Sequence, residues 1–191
     1  AIRPPRPVII MVKAGEAVDE QITALCEVMD RNDIIIDAGN ANYHDTVRRD
    51  AELAKTGLAF IGMGVSGGEE GARHGPSIMA GSLESSYKRV ENVLTAIAAK
   101  YKKTPCCAWV GTDGAGHFVK MVHNGIEYGL MQAFAEGYEL LDKLEDLIKD
   151  VTGTFKAWQR GTVVRSWLLE LLVRALEKDP DFEEIEGYVE D

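Results

Sequence analysis

Lys120, His123, Asn124 and Glu127 lie in the stretch GHFVKMVHNGIEYGLM, residues 116–131. Lys120, Asn124 and Glu127 are spaced i, i+4, i+7 and His123 adjoins that line, so in a helix the four share one stripe. Phe118, Val119, Met121, Val122, Ile126, Leu130 and Met131 around them are apolar, which predicts a largely enclosed helix. A lysine and a glutamate in such surroundings are costly unless paired or at work. The spacing fits two roles. One is a buried Lys–Glu ion pair joining helices. The other is a lysine that shuttles a proton, because partial burial makes an ammonium easier to deprotonate, with a carboxyl group as second acid. Gly125 and Gly129 would thin the helix where another group approaches.

Three further stretches carry polar or glycine-rich sequence. DAGNAN (37–42) follows an apolar run; Asn40 and Asn42 there either serve a turn or face a ligand, since ligands of open parallel sheets collect at the carboxyl ends of strands. VKAG (12–15) holds the same place after an earlier apolar run. GMGVSG (62–67) matches the G-x-G-x-x-G pattern of dinucleotide turns. Such a turn needs a helix opening at its third glycine, whereas GEEGARHGPSIMAG reaches Pro76 and another apolar run within ten residues. The motif is therefore not expected to hold a dinucleotide. Its glycine amides beside Ser66 suit a carboxylate or other anion, or make a flexible turn.

The elements that must position these residues follow from periodicity. PVIIMV (7–12), DIIIDAGN (33–40), LAFIGMG (58–64), SIMAGS (77–82) and CCAWVGT (106–112) read as strands, and DEQITALCEVM (19–29), DTVRRDAELAKTG (45–57) and residues 84–100 as helices between them. This rhythm predicts an α/β unit with a parallel sheet covered by helices over residues 1–112. From Gly116 to about Ile148 one long helical pattern runs, a second covers VVRSWLLELLVRAL (163–176), and no strand signal follows, so residues 113–191 read as an all-α domain.

With 191 residues, 46% of them hydrophobic and 27% charged, the chain can bury a core. The formal net charge of -10 argues against nucleic acid and against anionic membrane surfaces. Eight acids and one lysine in EKDPDFEEIEGYVED (177–191) carry most of that charge, which predicts a solvated or partner-dependent tail. No apolar run approaches the ~18 residues of a membrane span and AIRPPRPVIIMVKAG lacks a signal-peptide pattern, so a cytoplasmic location is expected. Cys26, Cys106 and Cys107 lack metal-ligand or redox spacing and are expected as reduced thiols in the interior. No metal site is predicted.

DIIIDAGNANYHDTVRR, GMGVSGGEEGARHGPSIMAG and GAGHFVKMVHNGIEYGLMQAFAEGYELL, in that order, resemble the 6-phosphogluconate dehydrogenase family, the decarboxylating enzymes of the pentose phosphate pathway. AWQRGTVVRSWLLELLVRAL and the closing YVED resemble its shorter bacterial branch. The resemblance implies the C-terminal part of a doubly wound dinucleotide-binding sheet followed by an all-α substrate and dimerisation domain. It implies oxidative decarboxylation of 6-phosphogluconate to ribulose 5-phosphate with NADP or NAD, in a homodimer. Lys120 matches the lysine that takes the 3-hydroxyl proton and returns one to the enolate oxygen, and Glu127 the acid that protonates C1. Asn40, Ser66, Gly67, Gly68, His123 and Asn124 match substrate-binding positions and Tyr128 a phosphate contact. Val12, Lys13 and Ala14, with Asn40, match the loops along the dinucleotide. Ala38, Ala41 and Ser82 depart from the family pattern without removing a proton-transfer group. Nothing before PRPVIIMV corresponds to the family's first strand and glycine turn, and later substrate loops are also absent, so an interior fragment, inactive by itself, is implied. Two alternatives stay open. One is a non-decarboxylating β-hydroxyacid dehydrogenase, from which Glu127 and Tyr128 would set the chain apart; the other is a truncated non-catalytic interaction module.

Overall fold

The computed structural model describes residues 2–180 and 182; most of the acidic tail lies outside them. The chain falls into two compact units, 1–124 and 125–191.

The first unit is built on a five-stranded sheet in the order β1 (Pro7–Ile10), β2 (Ile34–Asp37), β3 (Ala59–Ser66), β4 (Ser77–Gly81), β7 (Cys107–Gly111). Alternation along the strands divides the core in two. Ile34, Ile36, Ile61, Met63, Ile78 and Ala80 pack against Tyr87, Val90 and Leu94 of helix α4 (Glu84–Ile97). Ile10, Ile35 and Phe60 pack on the opposite face against Val18 and Ile22 of α1 (Glu16–Cys26) and Leu53 of α2 (Tyr43–Leu53). Residues on one strand alternate between these faces because successive side chains point to opposite sides of a pleated sheet. Asn42 caps α2, its side chain accepting the His44 amide at 3.0 Å, so this asparagine serves the turn. A two-stranded hairpin, β5 (Lys100–Tyr101) with β6 (Thr104–Pro105), joins α4 to β7.

The sheet is not wholly parallel. β1, β2 and β3 run parallel, but β4 is antiparallel to β3 and β7 is parallel to β4. The reason lies in the link: ten residues separate Ser66 from Ser77, fewer than the dozen or more that a parallel crossover needs. Those ten include a helix that the sequence did not lead us to expect, α3 (Gly68–His74). A helix therefore does open after the third glycine of GMGVSG. It still makes no dinucleotide turn, because the strands it connects are antiparallel neighbours. Further, Cys26 is exposed and Cys106 and Cys107 are half-buried, all free, rather than packed in the interior. β1 ends at Ile10, leaving Met11 and Val12 in the following loop.

The helix α5 (Ala115–Asp142) covers 28 residues. Only its Gly116 and His117 are buried. Phe118, Met121, Val122, Ile126, Leu130 and Met131 are exposed, so the predicted enclosure is not supplied by the described residues. In the second unit, α6 (Val151–Gly161) and α7 (Trp167–Lys178) enclose Phe155, Leu169, Val173 and Leu176, with Phe134, Tyr138 and Leu141 of α5 packed against them. Asp150 and Ser166 cap the two helices through the Gly153 and Leu169 amides. No helix among the described residues is long and apolar enough to cross a membrane.

Candidate active site

The start of α5 runs alongside β3 in matched steps. A Cβ on Gly62 would meet Thr46 and come within 3.1 Å of His117 Nδ1. One on Gly64 would stand 2.6 Å from Lys120 Cβ and 2.7 Å from the Gly116 carbonyl. Gly116 itself lies against the Gly62 and Met79 carbonyls and the Gly81 amide. At the next same-face position, Ser66 Oγ is 3.2 Å from His123 Nε2. Seven helical residues rise about 10 Å and four strand residues about 13 Å, so residues 116 to 123 keep pace with residues 62 to 66. Gly62 and Gly64 of GMGVSG are thus used for the approach of a helix to a strand.

This arrangement brings Ser66, Lys120, His123 and Asn124 into one hydrogen-bonded chain. Lys120 Nζ donates to Asn124 Oδ1, and His123 Nδ1 lies 3.2 Å from the same oxygen. An amide oxygen only accepts, so Nδ1 carries the ring proton. In the neutral ring Nε2 is then the acceptor, and the Ser66 hydroxyl donates to it. Two donors converging on Oδ1 also fix which way the Asn124 amide faces.

Beside this chain is a cleft of about 1080 Å³. Its walls include Met11 and Val12 after β1, Gly39 and Asn40 after β2, Ser66 at the last position of β3, and Gly67 and Gly68 beyond it, all at the carboxyl ends of the three parallel strands. Gly67 and Gly68 have φ of 142° and 54°, a backbone that suits glycine. Gly39 keeps two loops close: a Cβ there would stand 3.1 Å from the Val12 carbonyl.

Of the residues singled out from sequence, Val12, Asn40, Ser66, Gly67 and Gly68 share the cleft. Lys120, His123 and Asn124 join it through Ser66. Lys13 and Ala14 are exposed beside Val12 but do not line it. Glu127 and Tyr128 lie further along α5, in the second unit. Arg73 and His74 of α3, each paired with an acid one turn earlier, also line the cleft; the E-E-x-x-R-H spacing signals those pairs, though sequence reasoning passed over them. Also missed were Asp37, Thr46, Arg49 and His117 beneath the Asn40 loop. Two of these four, Thr46 and Arg49, stand within polar, helix-like sequence that reads as surface. Among the described residues no group of three or more His, Cys, Asp or Glu could hold a metal ion.

Residues 1–111 match the family model for the NAD binding domain of 6-phosphogluconate dehydrogenase, and residues 116–191 match the model for the C-terminal domain of 6-phosphogluconate dehydrogenase. A decarboxylating 6-phosphogluconate dehydrogenase from Aggregatibacter actinomycetemcomitans is 54% identical over 93% of the chain and 37% of the relative's length. The solved 6-phosphogluconate dehydrogenase of Plasmodium falciparum, described in complex with its cofactor NADP+ and with its substrate 6-phosphogluconate, superposes with a TM-score of 0.88 at 37% identity over 95% of the chain and 39% of that chain. A 3-hydroxyisobutyrate dehydrogenase of Mycobacterium tuberculosis superposes with a TM-score of 0.72 at 26% identity, over 85% of the chain and 53% of that chain. The chain spans a little over a third of the length of the curated relatives it matches.

Proposed function

Because the chain belongs to the 6-phosphogluconate dehydrogenase family, we propose that it carries the substrate side of an NAD(P)-dependent oxidative decarboxylation of 6-phosphogluconate to ribulose 5-phosphate and carbon dioxide. The observation that carries this proposal is the hydrogen-bonded chain from Ser66 through His123 and Asn124 to Lys120, set beside the cleft.

The bound nicotinamide would accept hydride from C3 of the substrate. Met11 and Val12 at the end of β1, with Gly39 holding the Asn40 loop close, suit an apolar ring edge beside a polar one; Val12, Lys13, Ala14 and Asn40 would hold the cofactor. Lys120, turned by Asn124, takes the 3-hydroxyl proton as hydride leaves. The resulting β-keto acid loses carbon dioxide, and the Lys120 ammonium stabilises and reprotonates the enolate oxygen. Glu127 then delivers a proton to C1 while Lys120 takes back the enol hydroxyl proton to leave the ketone, and Tyr128 contacts the phosphate. Ser66, Gly67 and Gly68 receive the carboxylate on a hydroxyl and glycine amides, the donors an anion needs. His123 and Asn124 complete the substrate contacts.

A homodimer in the cytoplasm is the setting we propose. Supporting it, the apolar side chains Phe118, Met121 and Val122 in the first unit, and Ile126, Leu130 and Met131 in the second, are each 42% or more exposed. Such a load of apolar surface is more than a solitary helix leaves in water. The decisive experiment for function uses this chain within a polypeptide that spans the full length of its curated relatives. Lys120→Met should leave 6-phosphogluconate binding roughly intact and lower turnover by a factor of about 10³ or more, followed by absorbance near 340 nm and released carbon dioxide. Near-normal turnover would remove Lys120 from its role.

A further inference from the structure

Among the described residues three buried side-chain atoms lack a hydrogen-bond partner: Asp37 Oδ2, Arg49 Nη1 and His117 Nε2. They belong to one place. Asp37 closes β2 and accepts the Gly39 amide on its other oxygen at 3.1 Å. Arg49 brings Nη1 to 3.7 Å from Asp37 Oδ2, while its remaining nitrogens bond Asp19 and the Gly15 carbonyl. His117, one turn before Lys120 on α5, meets Thr46 Oγ1 of α2 at 2.7 Å and lies against the peptide groups of Asp37 and Gly39. All three residues are 2% exposed or less. Unpaired buried polar atoms are each destabilising, so a cluster of them directly beneath the loop that presents Asn40 calls for a role beyond packing.

The protons can be placed. Burial pushes the His117 ring below the ordinary histidine range; Asp37 and the neighbouring peptides oppose this and Arg49 adds to it. Burial thus favours the neutral ring, which has one N–H. Thr46 has one hydroxyl proton, with Nδ1 of His117 at 2.7 Å and the Asn42 carbonyl at 3.2 Å as its candidate acceptors. We propose that His117 is a positioning residue for Asn40: Thr46 donates to Nδ1, the ring proton sits on Nε2, and that N–H steadies the Asp37–Gly39 segment from which Asn40 projects. The ring thereby ties the Asn40 loop to the helix turn that carries Lys120. Only the assignment of Asn40 to a substrate rests on the function proposed above; the proton placement does not.

Long-range ¹H–¹⁵N correlation on the 191-residue chain tests this directly. The expected result is the Nε2–H tautomer of His117 at neutral pH. In Thr46→Val, amide exchange at Gly39 and Asn40 should quicken about tenfold or more while Ile78 to Ala80 of β4 stay protected, and Thr46→Ser should restore the parent pattern. In a polypeptide that spans the full length of the curated relatives, Thr46→Val should raise KM for 6-phosphogluconate more than it lowers kcat. An Nδ1–H tautomer, or unchanged exchange at Gly39 and Asn40 in Thr46→Val, would overturn the proposal. If 6-phosphogluconate were not the substrate, the tautomer and exchange results would stand, so the two failures are distinguishable.

Discussion

Gly64 lies directly against Lys120, with room for a hydrogen and nothing larger: a Cβ at position 64 would stand 2.6 Å from the lysine Cβ. The second obstacle, the Gly116 carbonyl at 2.7 Å, is backbone and cannot swing aside. Gly64→Ala must therefore push α5 off β3. Overpacking of this kind costs about 1–3 kcal/mol, a fall in Tm of about 2–4 °C for each kcal/mol in a chain of this size. Calorimetry checks this, and an unchanged Tm would mean the helix is not seated on the strand.

Glu127→Gln separates the two proton transfers. If Glu127 supplies the proton to C1, the substitution should slow product formation while sparing the hydride step, because that proton is needed only after carbon dioxide has left. Single-turnover absorbance against product release, in a polypeptide that spans the full length of the curated relatives, distinguishes the two. Equal slowing of both would make Glu127 a structural partner.

Asp19 sets the sign of the acid response. Hydrogen bonding from Arg49, and then from Arg48, holds its carboxyl at about 2 against an ordinary value of 3.8, although burial opposes the shift. A lowered folded pKa stabilises above the ordinary value and loses that contribution as pH falls toward about 2. Urea midpoints measured across this range should fall steeply for the parent chain and less steeply for Asp19→Asn.

Asp50 has the opposite sign. Burial raises its pKa, and the charge and hydrogen bond of Asp113 raise it further. A raised folded pKa favours folding at low pH and works against it as pH rises through the folded value. Asp113→Asn removes the like charge and keeps a residue type that tolerates the φ of 50° found there. Its Tm should exceed the parent's at neutral pH, and this gain should shrink at about pH 3, below the ordinary carboxylate value, where Asp50 with its raised pKa is protonated. A gain equal at both values would exclude charge repulsion as its cause.

The 191-residue polypeptide by itself should bind neither dinucleotide tightly. Gly62 and Gly64 of its G-x-G-x-x-G match lie against α5, and the short helix after the match joins antiparallel strands. Calorimetric titration with NAD and with NADP checks this. A low-micromolar Kd, about 8 kcal/mol of binding free energy, would locate a pyrophosphate site elsewhere in the chain.

Much of this fold could be read from the sequence where chemistry is local. The β-branched run Ile34–Ile36 can be little other than a buried strand, and Asn42 and Asp45 open α2 as a cap and a first-turn acid should. Strand direction is not local, yet the ten-residue link between Ser66 and Ser77 was short enough to forbid a parallel crossover. Helix α6 was hidden because Gly153 and Gly161 break the pattern, although Val151, Phe155 and Trp158 hold i, i+4, i+7 spacing. In the site, the stripe of Lys120, His123 and Asn124 was legible because helical period alone sets it. The Thr46–His117 bond spans 71 positions, and no pattern along the chain announces a pairing made only when α2 and α5 meet over β3.

The matched stepping of α5 along β3 also fixes a phase. Each residue of an α-helix turns about 100° from the last. One residue inserted between Gly116 and Lys120 would keep every side chain of the lysine stripe yet rotate that stripe away from Ser66, whereas an insertion before Gly111 would fall on the sheet side of the contact. Length variation within the first turns of α5 is thus a change of aim, and this segment tolerates substitution at its exposed positions far better than any change in the number of its residues.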